Sequence, residues 1–165
     1  MNTFLLSDHH FKHEMIIKYC SRPFESTREM NRYMIEKHNS VVSDNDICYF
    51  LGDFCFTHAW RDVEGILKQM KGIKHLILGN HDKLYAFDYI ESGFTSVHTS
   101  LMIDNFMLIH DPAVGGVFKN MKIIHGHVHR MGLRLSNNTW NVSAEMSDYK
   151  PVDFEFIKTN WNTYV

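Results

Sequence analysis

The sequence predicts two packed β-sheets flanked by helices, an α/β (α+β) architecture in one domain spanning residues 1–165. Three observations carry that expectation. The first half alternates short apolar runs with stretches of helical periodicity. The second half is a quick succession of short strand-like runs. The 165 residues are 44% hydrophobic, with no internal repeat, low-complexity tract or long linker, so one core accommodates them.

Phe4-Leu5-Leu6 reads as a short buried strand. Residues 12–20 and 27–42 read as helices. In the second, Met30, Tyr33 and Met34, with His38 and Val41, recur at helical spacing after a cap at Ser26 or Thr27. Asp44-Asn45-Asp46 is a turn, and residues 47–51 form a second buried strand. Residues 60–71 read as a helix with Val63, Ile66, Leu67 and Met70 on one face, closed by Gly72. Residues 73–78 form a third strand. Further strands are expected near 95–103, 106–110, 121–125, 132–136 and 138–143, with Asp104-Asn105 as a hairpin turn. A short helix is expected near 152–160, after Pro151.

A net charge of −2 gives no global basic field for nucleic acid or anionic membrane. No apolar run approaches the roughly 18 residues of a membrane span, and the amino terminus has no signal-peptide pattern. Cys20, Cys48 and Cys55 form neither a disulfide framework nor a metal knuckle, so a reducing cytoplasm is the expected setting. The chain carries 12 histidines, an abundance that matters because histidine is the commonest metal ligand.

Five apolar runs end in polar clusters. Asp8 and His10 follow the first; Gly52 and Asp53 the second; Gly79, Asn80, His81 and Asp82 the third. His110 follows residues 107–109, and Gly126, His127 and His129 follow the run ending at Ile124 and His125. In open α/β sheets, ligand sites gather beyond the carboxyl ends of strands. Asp-x-His or Gly-Asp alone is an ordinary turn; all five in order point to a converging set of nitrogen and oxygen donors. Such a set suits manganese, iron, zinc, cobalt or nickel better than a magnesium cage. Two divalent ions about 3.5–4 Å apart can share a carboxylate, polarise phosphoryl oxygens and lower the pKa of a bound water.

With these motifs the chain resembles the calcineurin-like metallophosphoesterases, particularly a compact bacterial and phage-borne branch. The shared signatures are Asp8/His10, Gly52-Asp53, Gly79-Asn80-His81-Asp82, His110 and Gly126-His127-Val128-His129, plus Ser7-Asp8-His9-His10-Phe11-Lys12-His13 and Arg22-Pro23-Phe24. Asp111 departs from the pattern, where an aromatic residue is frequent. The resemblance implies a four-layer α-β-β-α sandwich of two mixed sheets and a dinuclear metal centre, with manganese foremost. It implies that Asp8, His10 and His129 hold one ion, that Asn80, His110 and His127 hold the other, and that Asp53 bridges them. His81 would protonate the leaving oxygen or stabilise phosphoryl charge, and Asp82 would orient His81. The implied activity is phosphoester hydrolysis by metal-activated hydroxide, a phosphodiesterase before a phosphomonoesterase, on a small or nucleotide-like substrate. A metal-dependent nuclease and a non-enzymatic scaffold are the alternatives, and a homodimer is compatible with the sequence.

His13 and Arg22 are further substrate candidates; a helix cap and a structural ion pair are their plainer readings. His9 should point away from the ligands, His125 should pack near the sheet, and Cys55 should pack beside Phe54 and Phe56. Lys119, Lys122, Arg130 and Arg134 read as scattered surface charge rather than a basic rim.

Overall fold

The structure, a computed structural model, describes residues 1–113 and 121–163. Its elements run β1 (Thr3–Leu6), α1 (Glu14–Tyr19), α2 (Thr27–Asn39), β2 (Ile47–Phe50), α3 (Trp60–Leu67), β3 (Ile73–Ile77), α4 (Ala86–Glu91) and β4 (Ser96–His98). They continue β5 (Leu101–Ile103), β6 (Phe106–Leu108), β7 (Lys122–His125), β8 (Thr139–Asn141), β9 (Val152–Asp153) and α5 (Phe154–Asn160).

Two mixed sheets flanked by helices result, as the sequence predicts. In the first, ordered β4-β3-β2-β1-β9, strands β1 to β4 are parallel and β9 is an antiparallel edge. In the second, ordered β5-β6-β7-β8, only the β5–β6 hairpin is antiparallel, and Asp104 makes its turn at φ 48°.

Alternation along the strands sorts the core. Phe4, Cys48, Phe50 and Leu76 face Ile16 of α1, Met30 and Met34 of α2, Val63, Ile66 and Leu67 of α3, and Tyr89 of α4. Leu5, Leu51 and Ile77 turn the other way and pack with Phe106, Leu108, Ile124 and Trp140 of the second sheet. Phe154, Ile157 and Trp161 from the carboxy-terminal helix region join this cluster. Each large side chain so buried contributes roughly 1.5–3 kcal/mol.

Parallel registers set the carboxyl ends side by side: Leu6 opposes Phe50, Phe50 opposes Leu76, and Leu108 opposes Ile124. At this end the sheets are stitched together. Ser7 bridges Ser143, and the Ser7 amide donates to the Val142 carbonyl at 3.0 Å.

Several expectations shift. The run at 95–103 is two strands in different sheets, with the chain crossing at residues 99–100. Residues 132–136 form no strand. Their backbone is satisfied locally, by Asn141 Nδ2 on the Gly132 carbonyl and by Thr139 Oγ1 accepting from Leu135 and Ser136. The third helix stops at Leu67, short of Gly72. Ser26 is the cap of α2, accepting from the Glu29 amide at 3.2 Å.

His9 is buried against Phe11, Phe50 and Phe54, and Cys55 is buried in the same cluster, both as expected. Lys122 and Arg134 lie over aromatic rings of the carboxy-terminal cluster, so they form no rim; Lys119 lies outside the described residues. No helix among the described residues is long and apolar enough to cross a membrane, and all three cysteines are free.

His38 on α2 supplies a pH test of this core. It is 1% exposed, its Nε2 donates to the Lys71 carbonyl at 2.9 Å, and burial pulls its pKa from 6.5 to about 4. The folded state therefore resists protonation that the unfolded chain accepts. Stability is full above pH 6.5 and declines as pH falls toward 4. Between pH 8 and pH 5 the native sequence is expected to lose about 2 kcal/mol more than His38→Gln, by urea unfolding.

Candidate metal centre

Three of the five strand ends place their polar residues on unusual backbone. Asp8 (φ 58°), His10 (51°), Asp53 (53°), His127 (71°) and His129 (48°) are all left-handed without being glycine. Each such position costs on the order of 1 kcal/mol and persists only where surrounding contacts enforce it. Glycines provide the close approach. A Cβ on Gly79 would lie 2.3 Å from Asp53 Oδ1, and one on Gly126 would lie 2.4 Å from Asp8 Oδ2.

The side chains then converge. Asp8, His10 and His129 offer donor atoms within 4.8 Å of one another, and Asp8, Asp53 and His110 form a second such group. Asp53 Oδ2 stands between them, 3.3 Å from His10 Nε2 and 3.4 Å from His110 Nε2. Asn80 Oδ1 lies 3.0 Å from both His110 Nε2 and His127 Nδ1, and those two nitrogens are 3.2 Å apart. All seven residues expected as ligands are thus in one cluster. Asp8 and Asp53 are buried, and neither carboxylate has a Lys or Arg partner among the described residues.

Hydrogen bonds aim the imidazoles. His110 Nδ1 donates to the Leu51 carbonyl at 2.8 Å, turning Nε2 toward Asp53. His129 Nδ1 bonds Glu145 at 3.0 Å, turning Nε2 toward Asp8. Burial works against charge on both rings, but Asp53 and Asp8 outweigh it and raise His110 to about 9, and Cys20, Glu145 and Asp8 raise His129 to about 10. Burial dominates at His10, whose pKa falls to about 3. His125 packs at the sheet as expected, its Nδ1 donating to the Gly126 carbonyl at 2.8 Å.

Two assignments change. Asp82 does not hold His81. Its carboxylate accepts from the backbone amides of Asp53, Phe54 and Gly79 at 2.8–2.9 Å, tying two strand ends together. Arg22 does not face a substrate. It is buried, donating to the carbonyls of Asp8 (2.6 Å) and His9 (2.7 Å) and pairing with Glu145 Oε1 at 2.7 Å. The ion-pair reading of Arg22 is the one the structure supports.

Glu145 is the residue the sequence reading passed over. It follows the strand run 138–143 just as the other motifs follow theirs, so the same strand-end rule points to it. Burial opposes its charge, yet His129 and Arg22 lower its pKa to about 2. His81 and His13 lie at the mouth. The His81 ring is 5.4 Å from His10 and 6.2 Å from His13, and the His81 amide donates to Asp53 Oδ1 at 2.8 Å. His13 starts α1 without capping it by a side-chain bond and lies 5.4 Å from His10.

No family model matches the chain. It shares its fold with the nuclease MPE of Pseudomonas putida, at 20% identity and a TM-score of 0.52 over 77% of this chain and 61% of that one. A protein of unknown function from Aquifex aeolicus, AQ665, superposes with a TM-score of 0.79 at 27% identity, covering 96% of this chain and 98% of the other. The uncharacterized protein MJ1445 of Methanocaldococcus jannaschii is 38% identical over 164 residues, 93% of this chain and 88% of its own length. With identity and coverage of that extent, the chain belongs to the family of MJ1445.

Proposed function

We propose that the chain is a metal-dependent phosphoesterase of the calcineurin-like metallophosphoesterase superfamily, using two divalent ions and favouring diesters over monoesters. The observation that carries this reading is the position of Asp53 Oδ2, within 3.4 Å of both His10 and His110 and so between two donor groups. Two buried carboxylates faced by imidazoles but by no Lys or Arg, beside a buried His10 whose ring nitrogens lack hydrogen-bond partners among the described residues, fit cations. Asp8, His10 and His129 would hold one ion, Asn80, His110 and His127 the other, and Asp53 both. The mixed donor set suits manganese first, with iron, zinc, nickel or cobalt as substitutes. Bound there, such ions supply Lewis acidity toward phosphoryl oxygens and acidify water.

The chain's own groups complete the site. Leu51 and Glu145 fix which nitrogens His110 and His129 turn inward. His81, anchored through its amide on Asp53, presents its ring beside His10, where it can protonate a leaving oxygen. His81, His127 and His129 are partly exposed, and an open mouth admits a diester's second substituent.

The test is to strip and reload the protein with manganese and compare bis-p-nitrophenyl phosphate with p-nitrophenyl phosphate. Manganese-dependent diester cleavage is expected, with His81→Ala losing about 10²–10⁴-fold in kcat while still binding manganese. A chain inert on both esters with two ions bound would sink the proposal, and a preference for the monoester would move it to a phosphatase. A nuclease is the second reading, suggested by the nuclease that shares this fold. Salt-sensitive binding and cleavage of DNA or RNA would select it.

A further inference from the structure

We infer that a cavity beside His129 is the subsite for a nucleobase carried by the phosphoester substrate, an inference that rests on the phosphoesterase reading above. The cavity measures about 430 Å³, and its walls include Tyr19, Ser21, Val128, His129, Arg130 and Met131. That volume falls in the range of small-ligand sites, and the space is an open cleft rather than an enclosed pocket.

Two independent features tie it to the metal centre. His129 belongs to both, offering Nε2 to the Asp8 group while standing in the cavity wall. On the other side, the Tyr19 ring lies 6.4 Å from His13, which lies 5.4 Å from His10. A phosphate held at His10 and His129 therefore has one ester substituent within a few bonds of this space.

The walls choose the substituent. Tyr19 is 70% exposed and Met131 75% exposed, large apolar side chains left in water beside a cluster of buried polar groups. An aromatic ring and a thioether favour a flat aromatic guest over an alkyl chain, through stacking and sulfur–ring contact. Arg130 adds a cation suited to a base carbonyl. Its Nε donates to the Cys20 carbonyl at 3.2 Å, joining the end of α1 to the segment after Gly126, so the two walls are tied before any ligand arrives. Among the described residues, the cavity beside Asn80 and His110 has no aromatic wall, being lined by Thr99, Ser100, Ile109 and Asp111. The nucleobase is therefore placed on the His129 side.

Equilibrium titration of the manganese-loaded chain with thymidine 5′-monophosphate and with methyl phosphate tests this without turnover. The native protein and Tyr19→Phe are expected to bind the nucleotide at least about tenfold more tightly than methyl phosphate, and Tyr19→Leu to lose most of that preference. Equal binding of the two ligands by the native protein, or a preference that survives Tyr19→Leu, overturns the subsite. Nucleotide preference without turnover of any ester would keep the subsite and remove the phosphoesterase reading. Diester turnover without nucleotide preference would do the reverse.

Discussion

Exchanging Asp53 for asparagine is expected to lower kcat/KM by at least about 10³-fold and to strip manganese from the site, while circular dichroism stays native. The carboxylate is 2% exposed and does two things. Oδ1 accepts from the His81 amide, and Oδ2 faces His10 and His110. Burial alone would discourage its charge, but His110, His10 and the His81 amide outweigh burial and hold its pKa at about 2. It is therefore an anion at every working pH. Asparagine keeps the shape and can keep the bond from His81, so the strand end survives. What goes is the charge between the two donor groups. Several kcal/mol of cation binding and transition-state stabilisation depend on it, and about 4 kcal/mol is a factor of about 10³. A variant that retains both its metal and its rate would remove Asp53 from the bridging position.

Arg22→Met is expected to cost about 3–5 kcal/mol of stability, seen as a fall of roughly 10 °C in Tm. The guanidinium and the Glu145 carboxylate are both fully buried side chains, 2.7 Å apart. Methionine fills much of the space but leaves the buried Glu145 carboxylate with His129 as its one remaining charged partner. Removing one partner of a buried charge is worse than burying none. The double variant Arg22→Met/Glu145→Leu separates the contributions. It removes both charges, so it should recover part of the loss. Recovery should stay incomplete, because the Asp8 and His9 carbonyls lose their donors in both variants. A single variant as stable as the native chain would mean that Arg22 is dispensable to the strand end it supports.

What the sequence disclosed and what it hid follow physical lines. The apolar runs at 4–6, 47–51 and 73–78 announced strands because both faces of such parallel strands are largely covered. The ligand residues were legible because each follows such a run. The helix Ala86–Glu91 was not, since Tyr89 is its one buried residue while Phe87 and Ile90 stay exposed, which leaves no apolar stripe to read. The crossing at residues 99–100 was invisible because strand periodicity says nothing about which sheet a strand joins. Asp82 departs from its expected role, and Arg22 takes its plainer one, for a shared reason. Both look like side chains poised for chemistry, yet both spend their hydrogen bonds on backbone groups of neighbouring strand ends. Apart from Gly79, these partners lie 13 to 29 residues away in sequence, and no local pattern names them.

The two close-fitting glycines have a consequence for how this site can change over evolutionary time. Gly79 seats beneath the carboxylate of Asp53, and Gly126 beneath that of Asp8, so each acid is clamped by a strand end other than its own. The loops behave like interlocked keystones: none can be swapped for a loop of different length or shape while its neighbour stays as it is. Drift at one loop must be matched by its counterpart or be eliminated. Diversification of specificity is therefore confined to the rim, where Tyr19, Phe56 and Met131 are exposed to solvent.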